Sequence, residues 1–180
     1  MRRPHTWRLD NFVGFLEKLR LRWAYKPVTL PTPYIRVGAL ICENNQVLLV
    51  PHDYEKGQLW HLPGGKIAEN DSSLIDTLKR ELKEELGIEI EVDDLAFICE
   101  EEVKPSRRVL HLIFNARRNN HKVPVINSQQ SGGSSVNFVP LNELGERHLY
   151  PNISKEILTL VSGFTKSNVY LGKCSSREWL

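Results

Sequence analysis

Apolar residues recur every three to four positions at Phe12, Phe15, Leu16, Leu19 and Trp23, with Glu17, Lys18, Arg20 and Arg22 between them. That period predicts an amphipathic helix over 11–25. Pro27, Pro31 and Pro33 end it and separate an arm of residues 1–30 from the rest of the chain. Beyond them the pattern changes. Tyr34 to Cys42 and Gln46 to Val50 read as strands, joined through Asn44-Asn45 into a hairpin. Leu59 to Leu62 reads as a short strand stopped by Pro63-Gly64-Gly65. Ser73 to Leu86 predicts a helix whose core strip is Ile75, Leu78, Leu82 and Leu86. Asp71, Ser72 or Ser73 can cap its start, and Gly87 marks its end.

Ile88 to Val92, Leu95 to Glu101 and Val109 to Ala116 read as extended, followed by a polar, turn-rich loop over 119–135. Val136 to Pro140 predicts a last strand and Ile153 to Val161 a closing helix. The organisation expected is a mixed α/β domain over 31–165, with the helical arm before it and a tail over 166–180.

Composition narrows the classes. Among 180 residues, 24 Lys and Arg against 22 Asp and Glu leave a formal charge of +2. So small a balance supplies no bulk attraction to a DNA or RNA duplex or to a membrane surface. Apolar runs such as Val37 to Cys42 are too short to span a bilayer. Cys42, Cys99 and Cys174 are odd in number and far apart, so neither a disulfide framework nor a zinc site is read from them. Cys42 and Cys99 lie in apolar runs and are expected to be buried. The N-terminus has no apolar secretory core, so a reducing, cytoplasmic setting is expected.

The candidate chemistry sits on the central helix. Glu81, Glu84 and Glu85 are spaced so that, at about 100° per residue, all three share one face. Like charges so placed repel, by about 0.2–0.5 kcal/mol per pair. Convergent carboxylates are also what a hard divalent cation needs, and Mg²⁺ so held commonly bridges to substrate phosphate. Taken alone, an acidic helical cluster is more commonly a solvated Glu/Lys face.

The neighbouring residues tip that balance. Arg80-Glu81-Leu82-Lys83-Glu84-Glu85-Leu86-Gly87-Ile88 resembles the second half of the Nudix box at every specified position, and Leu62-Pro63-Gly64-Gly65-Lys66 resembles its opening. Trp60 and the segment Phe138 to Leu144 are similar to Nudix sequences outside the box. The resemblance covers about Tyr34 to Leu160 and implies an α/β/α sandwich with mixed β-sheet, here preceded by the arm. One feature departs from the pattern. The loop between Gly65 and Arg80 is one residue longer than usual, and Asp71 or Ser72 stands where the box has a glutamate. Asp71, or Glu69, is the acid then expected to pair with Arg80.

The resemblance implies a metal-dependent pyrophosphohydrolase cleaving a diphosphate linkage in a nucleoside diphosphate derivative. ADP-ribose or a nucleotide-sugar stands ahead of nucleoside triphosphates, because Pro105 lies near a proline found in some ADP-ribose-cleaving members. Glu81, Glu84 and Glu85, with the Gly64 carbonyl, would hold Mg²⁺ or Mn²⁺, and Arg80 would orient the glutamates. Glu84 or Glu81 is the general base within the box, and Glu100, Glu101 and Glu102 are candidates outside it, each otherwise a solvated edge charge. Arg36, Gly65, Trp60 and Arg108 are the substrate-binding candidates, with Arg107, His111 and Tyr34 beside them. The alternative is a Nudix-fold nucleotide-binding or regulatory module with weak or no catalysis, motivated by the altered loop and the extra arm. A small-molecule nucleotide is the partner expected, and the arm's apolar stripe is the candidate contact for a homodimer.

Overall fold

The computed structural model describes residues 33–54, 57–104, 107–119, 136–163 and 168–174. The N-terminal arm, the homodimer contact assigned to it, Pro105 and most of the 119–135 loop lie outside the described residues. The elements run β1 (Tyr34–Leu40), β2 (Cys42–Glu43), β3 (Gln46–Tyr54), β4 (Gly57–His61), β5 (Gly64–Lys66), α1 (Leu74–Leu86), β6 (Ile90–Lys104) and β7 (Arg107–Arg118). Then come β8 (Asn137–Pro140), a 3-10 helix over Leu141–Glu146, β9 (Leu149–Tyr150), α2 (Ser154–Val161) and β10 (Tyr170–Lys173).

Two mixed sheets form. The first has the order β10-β6-β7-β1-β5, with β1 parallel to β7 and antiparallel to β5. The second has the order β2-β3-β4-β9, with β8 added beside β3. One apolar cluster joins Leu40, Leu62, Phe97 and Ile113 of the first sheet region to Leu49, Trp60 and Leu149 of the second, with Ile153 and Ile157 packed in. The other joins Val37, Ala39 and Ile41 to Leu78, Leu82 and Leu86 of α1. Alternation along β1 thus splits its side chains between the two layers, and the result is an α/β/α sandwich with mixed sheets.

Four expectations are corrected. The hairpin is confined to Cys42–Glu43 and Gln46–Val47, turned by Asn44 and Asn45 at φ of 48° and 61°. Tyr34–Leu40 belongs instead to the other sheet, because its apolar residues are needed against α1. Cys42 is exposed, since the chain changes sheets there and its apolar run has ended, whereas Cys99 is buried. Gly64–Lys66 is a strand rather than a stop, paired with Arg36–Gly38. Tyr170–Lys173, placed in the tail, adds β10 parallel to β6.

Helix α1 begins and ends by local chemistry. The Ser73 hydroxyl caps it by accepting the Asp76 N–H at 3.1 Å, and Gly87 closes it at φ 65°. Its buried face is Thr77, Leu78, Leu82 and Leu86, while Ile75 is exposed rather than part of the core.

Candidate active site

The glutamate face of α1 rises beside β5. Gly65 is buried, and a Cβ built on it would lie 2.1–2.3 Å from the Glu81 carboxyl group. Gly64 lies at φ 142°, and a Cβ there would meet the Val37 carbonyl at 2.2 Å. Both positions thus require glycine, one for its backbone and one for the carboxylate it admits. The Gly64 N–H donates to Glu85 Oε2 at 3.3 Å, so strand and helix are tied through the site itself.

Arg80 organises the carboxylates. It reaches Glu81 at 3.1 Å and Glu84 at 3.0 Å, and also donates to the Lys66 carbonyl at 3.1 Å. Its other anchor is Asp71, which accepts from Nε at 2.8 Å and from Nη2 at 2.9 Å. Asp71 also accepts the Ala68 N–H at 2.8 Å. The Arg80 and Ala68 hydrogen bonds hold the Asp71 carboxyl well below the usual carboxylate range.

The three glutamates differ in setting. Glu84 is 46% exposed, Glu81 22%, and Glu85 is half-buried. Glu81 and Glu85 are thus only partly exposed, and Glu84 alone of the three is open to solvent. Burial pushes its carboxyl upward, opposed by the Gly64 N–H and by the charge of Arg36. No three acidic, histidine or cysteine side chains among the described residues already converge as a cation site. Glu81 and Glu84 lean on Arg80, and Glu85 on Gly64. Their chemistry nevertheless fits a hard cation: three all-oxygen donors leave one helical face, above a glycine that leaves room for a carboxylate.

Among the other candidates, Arg36 lies beside this cluster, opposite Lys66 on β5 and His111 on β7. Trp60 is no stacking platform: it is 7% exposed in the inter-sheet core, with the Arg147 guanidinium 5.2 Å from its ring centre. Its indole fills the apolar layer that β4 must close. Arg108 is 71% exposed and faces Glu100 at 4.0 Å. Tyr34 is exposed, with Lys66 Nζ 5.7 Å from its ring.

Within the acidic triplet, alternation along β6 separates the fates of the three residues. Glu100 accepts from the Tyr170 hydroxyl at 2.5 Å and Glu102 pairs with Lys173 at 2.7 Å, both ties to β10. Glu101 is 2% exposed and turned inward, 3.5 Å from His111 Nε2, so it is not a solvated edge charge.

The sequence reading missed a group of rings. His52 meets His61 edge-on at 4.7 Å, and Tyr150 lies 5.0 Å from His61 and 5.7 Å from His111. Burial, with the charges of Arg36, His52 and His111, holds His61 down to about 3, so it is neutral at physiological pH. The signal that could have found it is adjacency: His61 follows Trp60 and precedes Gly64 by three residues.

The NUDIX domain model matches residues 32–161, and the chain belongs to that family. Nudix hydrolases generally use divalent metal ions. The CTP pyrophosphohydrolase of Escherichia coli (strain K12) is 37% identical over 78 residues, which cover 42% of this chain and 56% of that protein. The match thus spans little more than half the relative's length. The solution structure of the E. coli ORF135 protein has a TM-score of 0.58 at 23% identity, covering 76% of this chain and 94% of that one. An ADP-ribose pyrophosphatase from Streptococcus suis has a TM-score of 0.53 at 23% identity, covering 79% and 98%. These structural likenesses show a shared fold. Among the described residues no helix is long and apolar enough to cross a membrane.

Proposed function

We propose that this chain is a divalent-cation-dependent pyrophosphohydrolase acting on a nucleoside diphosphate linked to a further group. The observation that carries the reading is the assembly of Glu81, Glu84 and Glu85 around Gly64 and Gly65, with Arg80 fixed by Asp71. The three carboxylates and the Gly64 carbonyl would hold Mg²⁺ or Mn²⁺. Bound there, such a cation would screen the diphosphate charge and lower the pKa of a water. Glu84, the most exposed of the three, is the residue best placed to take that water's proton. Arg80 acts by holding Glu81 and Glu84 and does not itself contact substrate. Arg36, beside Glu85, carries a charge suited to phosphate.

The binding-module alternative draws on the altered loop and the extra arm. Asp71 on Arg80 weakens the first motive, the arm lies outside the described residues, and the retained glutamate face favours hydrolysis. The curated relative is a CTP pyrophosphohydrolase, and structural neighbours include an ADP-ribose pyrophosphatase and a UDP-X diphosphatase. Both nucleoside triphosphates and nucleotide-sugars therefore belong in the test panel. The test is release of nucleoside monophosphate from ADP-ribose, nucleotide-sugars, dinucleotides and nucleoside triphosphates, with Mg²⁺, Mn²⁺ or EDTA. Turnover that requires the cation and disappears in Glu84→Gln is expected. A folded protein silent on the whole panel, or equally active in Glu84→Gln, sinks the reading.

A further inference from the structure

Two of the cysteines, far apart in sequence, meet in the fold. Cys99 lies on β6 and is fully buried, whereas Cys174 directly follows β10 and is half-buried. β10 runs parallel to β6 with Gly172 opposite Cys99 and Lys173 opposite Glu100. The Cys174 N–H continues the ladder by donating to the Glu100 carbonyl at 2.9 Å. Strand alternation then sorts the side chains. Glu100, Glu102 and Lys173 share the outer face, where Lys173 pairs with Glu102 at 2.7 Å. Cys99, Glu101 and Cys174 take the inner face, and Cys174 packs on the same apolar cluster that encloses Cys99.

The contact is asymmetric. The Cys99 thiol donates its hydrogen to the Cys174 sulfur. That bond holds Cys174 below the ordinary thiol range, against burial and the charges of Glu156 and Glu101, and keeps the proton on Cys99. A thiolate, not a thiol, is the nucleophile. The partly exposed member of the pair is thus the one that favours the reactive form, and a protonated partner sealed from water stands against it.

We propose that Cys174 and Cys99 are a modification site, forming a reversible disulfide when the protein meets a hydroperoxide. The Cys174 thiolate attacks hydrogen peroxide: an S–O bond forms, the O–O bond breaks, and the departing hydroxide takes up the proton that Cys174 released, giving water. The Cys99 sulfur then displaces the hydroxyl group of the Cys174 sulfenic acid. The S–S bond forms, the S–O bond breaks, and the Cys99 proton leaves with that hydroxide as a second water. Two thiols are oxidised by two electrons in all, and the peroxide is reduced. Cys174 stands beside Glu101 and so diagonally across from Cys99. Diagonal neighbours are about 7–8 Å apart at Cα, a little beyond the usual span of a disulfide, so closure draws the end of β10 inward. The bridge would fasten the edge strand whose Tyr170 and Lys173 hold Glu100 and Glu102, on either side of Glu101.

The experiment is peptide mapping by mass spectrometry after hydrogen peroxide, with the full chain alkylated but not reduced, both folded and in concentrated urea. It needs no substrate, so its outcome is independent of the hydrolase reading. The folded protein should lose two hydrogens and yield one linked pair, Cys99 with Cys174, which dithiothreitol reopens. That pair should form about tenfold or more faster than in urea, where the contact is gone and Cys42 competes for both partners. Cys99→Ala should stop at a sulfenic acid on Cys174, trapped by dimedone, and Cys174→Ser should leave Cys99 unmodified. Each variant is checked for a cooperative thermal transition, and the wild-type map depends on neither. Linkage through Cys42 in the folded protein, Cys174 oxidised while Cys99 stays free, or an equal rate in urea overturns the proposal.

Discussion

Asp71 grips Arg80 with both carboxylate oxygens, at 2.8 and 2.9 Å, and the same arginine reaches Glu81 and Glu84. Aspartate is one methylene shorter than the glutamate of the usual box, and the loop carrying it is one residue longer. The longer loop brings the shorter acid to the guanidinium, so the two departures offset each other.

Asp71 is thus a positioning residue. Asp71→Ala should lower kcat by about 10-fold, the scale of losing a group that orients a ligand. Glu84→Gln or Glu85→Gln should cost about 100-fold or more, because each removes a charge that the proposed cation would need. KM should move less than kcat for Asp71→Ala. Equal losses in all three variants would mean that Asp71 takes part in the chemistry itself.

The two box glycines should fail differently. Gly65→Ala pushes a Cβ onto the Glu81 carboxyl group, the movable end of a side chain, so the fold should survive while metal-dependent turnover falls sharply. Gly64→Ala meets backbone, the Val37 carbonyl at 2.2 Å, from a φ of 142° that L-residues rarely adopt. Its cost should be about 3 kcal/mol or more, read as a fall in the urea midpoint. A Gly65→Ala protein as unstable as Gly64→Ala contradicts this assignment.

How far these features could be read from the sequence depends on their range. Local signals carried well: Ser73 capping α1, Gly87 closing it, and the Leu78, Leu82 and Leu86 strip all arise from helical spacing. Asp71 was within reach because its partner lies nine residues away on the next element. What failed was non-local. Apolar alternation cannot say which sheet Tyr34–Leu40 joins, and the β10 segment is too short and polar to announce a strand. Glu100, Glu101 and Glu102 are identical letters whose fates are set by strand alternation and by Tyr170 and Lys173 about 70 residues away. The His52, His61, His111 and Tyr150 group draws on four strands, so no spacing rule could collect it.

Glu85 gives a prediction for the protein without metal. Its folded carboxyl titrates above the ordinary value because burial disfavours the charge. A raised value means that its stabilising contribution is present below the unfolded pKa and is lost as pH rises through the folded one. At neutral pH the ionised Glu85 therefore destabilises the metal-free fold, and Glu85→Gln, which keeps an acceptor for the Gly64 N–H, relieves this. Thermal melts in EDTA should put the variant above wild type at pH 7.5, with the gap closing near pH 4. A variant that melts lower at pH 7.5 would show that the Gly64 contact outweighs the burial.

His61 shifts the other way. Burial, helped by Arg36, His52 and His111, lowers it from 6.5 to about 3, so the folded protein refuses a proton that the unfolded chain accepts. The stability this group supports is complete above pH 6.5 and drains away as pH falls toward 3. One proton taken up only by the unfolded state gives a slope of about 1.4 kcal/mol per pH unit. Carboxylates titrate in the same window, so the comparison must be between proteins. His61→Leu should lose less stability than wild type between pH 6.5 and 5.5, where carboxylates of ordinary pKa are still almost wholly ionised. Urea unfolding at several pH values measures both slopes. Parallel slopes would mean that His61 opens to water and takes its proton in the folded state, and that the ring group is looser than its contacts indicate.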